Sequence, residues 1–154
     1  INGEFPNLGI AVAGYPEVHQ EAPSADIDLD NLKRKVDCGA DIVITQLFYR
    51  TEDYFDFCDR CVVAGITVPI VPGILPVINL AQIQRITSMC GAKLPQALGE
   101  HCDDDDWQFK VGVEFATAQV SELLATGAPG VHFYVLNKSQ VTAEVLTQVG
   151  WSCE

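Results

Sequence analysis

Asp41-Ile42-Val43-Ile44-Thr45-Gln46-Leu47-Phe48, followed by the stretch Glu52 to Ala64 and by Gly65, decides the fold. The first segment is an apolar, β-branched run with little polar alternation, which predicts a strand buried on both faces. The second carries Tyr54, Phe55, Phe57, Cys58, Cys61 and Val62 on one wide apolar side, as a helix does. Gly65 stands where a left-handed C-terminal cap would stop that helix. The unit is therefore βα.

The same unit recurs on both sides. Upstream, Leu8-Gly9-Ile10-Ala11-Val12-Ala13 predicts a strand covered on both faces, and Asp28 to Cys38 a helix with Leu29, Leu32 and Val36 inward and Gly39 as its stop. Downstream, Thr67 to Val71 predicts a third strand ending at Pro72-Gly73, and Leu80 to Cys90 a helix stopped by Gly91. A longer excursion follows, with a short helix expected over Leu94 to His101, an acidic helix entry at Asp103 to Asp106, and a long helix from Trp107 to Thr126 closed by Gly127. Val131 to Leu136 predicts a fourth strand, and Ser139 to Val149 a last helix before Gly150.

Strands that alternate with helices pair in parallel, because each return to a parallel neighbour needs a right-handed crossover. The class is α/β with four βα units. Doubly wound sheets and eight-stranded barrels both contain such units, but a barrel needs at least about 200 residues. The 154 residues here match half of one. No linker divides them, so residues 1–154 are expected to be a single partial domain. The sequence starts at Ile1 and runs almost at once into an apolar stretch, as if cut from something longer.

Composition narrows the function. With 48% hydrophobic and 19% charged residues the chain is globular, and its apolar runs fall far short of the roughly 20 residues of a membrane span. A soluble, cytoplasmic protein is expected. Twenty-one acids against nine bases give a net charge of -12, which repels phosphate backbones and anionic lipid, so neither nucleic acid nor membrane is an expected partner. The six cysteines lack the density of a disulfide scaffold and are expected to be reduced.

In parallel α/β folds ligands lie over the carboxyl ends of the strands. The loops there carry Tyr15 and His19 after the first strand, Gln46 and Tyr49 after the second, Pro72 to Pro76 after the third, and Asn137-Lys138 after the fourth. They suit a flat polar ligand and hold no serine nucleophile beside a base. Three of the nine bases, Lys33-Arg34-Lys35, sit together, and helical spacing puts Asp28, Asn31 and Lys35 on one face. Such a face can hold a ribose and a phosphate, or it can be a solvated face whose bases complement the helix dipole. Spacing alone leaves both open, as it does for a functional or a structural His19. Cys58-Asp59-Arg60-Cys61 falls well inside a helix and lacks further ligands, so core packing is expected there. His132, within an apolar strand, is expected to be a satisfied strand histidine.

Five motifs, in order, give a sharper reading. Ala13-Gly14-Tyr15-Pro16-Glu17-Val18-His19 with Glu21-Ala22, Asn31-Leu32-Lys33-Arg34-Lys35-Val36-Asp37, Ile44-Thr45-Gln46-Leu47-Phe48-Tyr49, Pro69-Ile70-Val71-Pro72-Gly73-Ile74-Leu75-Pro76 and His132-Phe133-Tyr134-Val135-Leu136-Asn137 resemble successive motifs of the methylenetetrahydrofolate reductase family, over nearly the whole chain. The resemblance implies the C-terminal half of a catalytic (β/α)8 TIM barrel. It implies an FAD-dependent enzyme that uses NADH or NADPH to reduce 5,10-methylenetetrahydrofolate to 5-methyltetrahydrofolate, homo-oligomeric when full length. By the same resemblance Tyr15, His19, Asp28, Asn31, Arg34 and Lys35 would bind FAD, and Gln46, Gln82 and Lys138 the substrates. Lys138 stands where the family often has arginine, keeping the charge without the bidentate fork. The family's acid would lie before Ile1, so no catalytic acid is expected within these residues, and the isolated piece is expected to be inactive and to self-associate. The alternative is a non-catalytic α/β binding module.

Overall fold

The computed structural model describes residues 7–77, 79–93, 105–135, 137 and 139–151. Its elements run β1 (Ala11–Gly14), α1 (Ala25–Asp37), β2 (Ile42–Thr45), α2 (Thr51–Val63), β3 (Ile70–Val71), β4 (Gly73–Ile74), α3 (Leu80–Cys90), α4 (Asp105–Ala125), β5 (His132–Phe133) and α5 (Ser139–Gln148). The expected helix over Leu94 to His101 lies outside the described residues.

Every strand pair is parallel. β1, β2 and β3 form one sheet, with Val12 opposite Val43 and Ile44 opposite Val71, and β4 pairs with β5 in a second. The single third strand expected over Thr67 to Val71 is instead two short pieces, with Pro72 between them. Proline has no N–H to give to a ladder, so regular pairing lapses there. The gap is bridged by other groups. Thr45 Oγ1 accepts from the Gly73 N–H at 2.9 Å, and the Pro72 carbonyl accepts from the His132 N–H at 2.9 Å. Tyr134 donates its hydroxyl to the Thr45 carbonyl at 2.9 Å. The fourth strand narrows likewise to His132–Phe133.

One expectation about β1 is corrected. Val12 faces the α1/α2 layer with Leu32, Val43, Phe57, Cys61 and Ile66, and Gly14 is buried, but Ala11 and Ala13 are exposed. The strand is thus covered on one face only, and within its sheet it is an edge. An unbroken run of small apolar residues does not distinguish the two cases.

The helices bury the faces that their periodicity assigns, except that Val62, expected on the apolar side of α2, is 71% exposed at the edge of that face. Leu32 of α1 and Tyr54, Phe57 and Cys61 of α2 are buried. The largest cluster joins Phe48, Tyr54 and Ile74 to Val113, Ala116, Val120 and Leu123 of α4 and Val141 and Val145 of α5. Each fully buried aliphatic side chain here contributes roughly 1.5–3 kcal/mol. α1 starts at Ala25 rather than Asp28, because Ser24 supplies the cap: its hydroxyl accepts from the Ile27 N–H. That shift places Asp28 inside the first turn, where its carboxylate is free to accept from the preceding loop.

Cys58 and Cys61 pack in the core as expected, and burial pushes the Cys61 thiol up to about 12. A raised thiol pKa means less thiolate at neutral pH and a slower nucleophile. With iodoacetamide at pH 7.5, exposed Cys38 should be labelled in the native protein and Cys61 only after unfolding. Peptide mass spectrometry that finds Cys61 modified first would contradict this packing.

Candidate ligand groove at the strand ends

The loop that leaves β1 turns at Tyr15-Pro16-Glu17-Val18, closed by the Val18 N–H donating to the Tyr15 carbonyl at 3.2 Å. Val18 holds a φ of 72°, a left-handed conformation that a β-branched residue adopts at a cost of about 1–3 kcal/mol. The turn sends the chain back toward α1. There the His19 N–H donates to Asp28 Oδ2 at 2.9 Å, and His19 Nδ1 accepts from the Glu21 N–H at 3.1 Å. The Tyr15 and His19 rings meet edge to face, with centroids 4.5 Å apart.

Those two rings wall an open groove of about 460 Å³ whose other side is the α1 face carrying Asp28, Asn31, Arg34 and Lys35. All six residues expected to form one binding surface therefore line one concavity at the carboxyl end of β1. The basic trio divides. Lys33 pairs with Asp37 and lies along Gly65, whereas Arg34 and Lys35 reach the groove. Among the described residues neither Arg34 nor Lys35 has an ion-pair partner; Lys35 Nζ lies 3.4 Å from the Ala13 carbonyl at the strand end. Burial, with the Asp28 carboxylate second, raises the Tyr15 phenol pKa, so the ring stays neutral.

Tyr15, His19 and Glu21 also border a second cavity of about 260 Å³, shared with Gln20, Gln46, Met89 and Cys90. Gln46 Oε1 accepts from the Leu47 N–H at 3.0 Å, which leaves its NH2 as the donor for a ligand. Gln82 lies in the first turn of α3, but its side chain is outside the described residues, as is Lys138. His132 is not in either cavity; it is half-buried on β5 against Tyr134, rings 4.8 Å apart.

Glu21 and Ala22 belong to the first family motif, whereas Pro23, Met89 and Cys90 were not singled out from sequence. Glu21, Ala22 and Pro23 line the groove, and Met89 and Cys90 line the second cavity. Arg60, the interior of the C-x-x-C spacing, donates to the Pro16 carbonyl at 3.1 Å and stands 5.7 Å from the Phe57 ring centroid, so α2 braces the loop. A helix-surface arginine carries no local signal of such a role.

The sequence profile described as "Methylenetetrahydrofolate reductase" matches residues 1–150. The chain belongs to that family. It is 44% identical over 151 residues to the 5,10-methylenetetrahydrofolate reductase of Escherichia coli K12, covering 96% of this chain and 51% of the relative. To the methylenetetrahydrofolate reductase (NADH) 1 of Zea mays it is 39% identical over 156 residues, covering 93% and 26%. This family member thus spans about half the length of the bacterial relatives it matches. Among solved structures, an uncharacterized protein from Clostridium thermocellum, described as binding two copies of 5-methyl-5,6,7,8-tetrahydrofolic acid, superposes with a TM-score of 0.60 over 93% of this chain and 53% of that one, at 17% identity. That likeness supports a partial TIM-barrel-like arrangement of the parallel βα units.

Proposed function

We propose that this chain supplies the second half of a (β/α)8 barrel in an enzyme that reduces 5,10-methylenetetrahydrofolate to 5-methyltetrahydrofolate, with FAD as cofactor and NADH or NADPH as reductant. The observation that carries the reading is the groove in which Tyr15, His19, Asp28, Asn31, Arg34 and Lys35 converge. Two cations without ion-pair partners among the described residues fit a diphosphate, a carboxylate and an amide fit ribose hydroxyls, and the neighbouring rings fit a flat heteroaromatic edge. The flavin, when bound, carries hydride from the nicotinamide to the folate; the protein's part is to bind, orient and tune.

On this reading Arg34 and Lys35 neutralise the diphosphate, and Asn31 holds the ribose. Asp28 has two tasks, since one carboxylate oxygen already fixes the His19 N–H and the other remains for a ribose hydroxyl. Gln46 offers its NH2 to the ring edge of pterin or nicotinamide from the adjoining cavity, and Gln82 and Lys138 complete the folate contacts. A single face serving two substrates in turn predicts ping-pong kinetics.

The test is direct flavin binding by the intact protein, followed by Lys35→Ala and Asp28→Ala. Each substitution removes one charged contact and should weaken FAD about tenfold, near 1.4 kcal/mol. Bound yellow cofactor that ignores both substitutions after gel filtration would remove these residues from the site. A protein that binds no flavin at all would favour the α/β binding module.

A further inference from the structure

The groove loop is tied not only to α1 but also to the last turn of α3 and the residues just after it. Both carboxylate oxygens of Glu17 accept from the Lys93 N–H, at 3.2 and 3.1 Å, and Lys93 Nζ lies 3.9 Å from Oε1. Three residues on, Gln20 Nε2 donates to the Ser88 carbonyl at 3.2 Å. Its amide also lies against Gly91, where an added Cβ would come within 3.0 Å of it and where φ is +76°. Glu17 keeps only 9% of its side chain exposed, with Arg50, just before α2, and Asp53 of α2 as its other charged neighbours. A carboxylate is withdrawn from water at a cost, and the Lys93 amide and ammonium offset it.

Glu17 lies two residues after Tyr15 and two before His19, the two rings of the groove. α3, at the other end of the tie, opens with Gln82 and closes with the Met89 and Cys90 wall of the second cavity. Glu17 lines neither cavity among the residues that form them. We infer that Glu17 is a positioning residue whose contact with Lys93 couples the dinucleotide groove to α3, so that filling the groove steadies the helix carrying the substrate amide. This rests on the flavin reading for the identity of the ligand, but the tie itself does not.

The experiment compares wild type, Glu17→Ala and Glu17→Gln in the intact protein, reading FAD affinity from the flavin absorbance change and amide hydrogen exchange by mass spectrometry. In wild type, FAD should slow exchange in both Val18–Ala22 and Met89–Lys93. Glu17→Ala should weaken FAD roughly five- to tenfold, a typical coupling magnitude, speed exchange in both segments without ligand, and abolish the FAD-induced protection of Met89–Lys93. Glu17→Gln keeps a carbonyl oxygen for the Lys93 N–H and should restore part of that protection, which a merely misfolded loop would not. Protection of Met89–Lys93 that persists in Glu17→Ala, or exchange there that is unchanged by the substitution, would overturn the coupling. If wild type binds no FAD, exchange alone decides: faster exchange at Met89–Lys93 in Glu17→Ala sustains the tie while the flavin reading fails, and unchanged exchange ends both.

Discussion

Replacing Gly112 with alanine is expected to destabilise the protein by about 3 kcal/mol or more, toward the upper end for an overpacked site. Gly112 lies inside α4, where a Cβ would stand 1.5 Å from the Val77 carbonyl oxygen and 2.7 Å from its carbon. No rotamer relieves a backbone collision, so α4 would have to move off the segment after β4, with Val113 and Ala116 of the main core moving too. Helix propensity alone predicts the opposite sign, a gain of about 1 kcal/mol for alanine over glycine in a helix interior. Urea unfolding separates the two by direction. A higher midpoint for Gly112→Ala would mean that α4 does not approach Val77 this closely. Gly127→Ala is the control: φ is +93° but nothing lies within 4 Å, so only backbone strain, about 1 kcal/mol, should be lost.

The double substitution Arg34→Gln/Lys35→Gln should weaken FAD by about a hundredfold, since two charge-assisted contacts are removed, each near the lower end, roughly 1.5 kcal/mol, expected in an open groove. The effect is large because nothing else in the groove replaces them. Both residues stand in the last turn of α1, where the helix end carries partial negative charge, and Glu21 and Asp28 line the same concavity. The chain as a whole is at -12. Apart from these two side chains, the charged groups lining the groove are carboxylates that repel a diphosphate. Wild-type affinity should fall as salt is raised, and the double variant should lose most of that dependence. Lys33→Gln, which breaks only the pair with Asp37 beside Gly65, should change affinity less than about twofold, as exposed pairs contribute little. Equal losses from Lys33→Gln and from the double variant, in equilibrium titrations of bound flavin, would show that net charge rather than the groove holds the cofactor.

The residues that sequence reading placed best owe their positions to a local period. Asp28, Asn31 and Lys35 share a face of α1 because helical geometry puts them there once the segment is helical, the strand-end rule drew attention to Tyr15 and His19, and Arg34 came in through the family resemblance. The structure gathers all six around one groove. Gly39, Gly65, Gly91, Gly127 and Gly150 end their helices with positive φ, a requirement that the residue type alone announces. The helix faces were legible for the same reason, from neighbours three or four positions away, and the parallel pairing from the alternation of strands with helices, which only a crossover can join in parallel.

Contacts between distant residues were not legible. The third strand breaks at Pro72 because its partners change there, with Thr45 on one side and His132 on the other, some 27 and 60 positions away in sequence. Glu17 finds Lys93, Arg60 finds Pro16, and Gly112 meets Val77 only because three βα units pack side by side. None of those residues has a distinctive neighbour in the chain; a glutamate in a turn, an arginine on a helix and a glycine inside another helix are ordinary. Periodicity is set by covalent geometry within a few residues and can be read directly. Which backbone a side chain must avoid, and which amide a carboxylate will meet, are set by packing across the fold, and only the folded chain brings those atoms within reach.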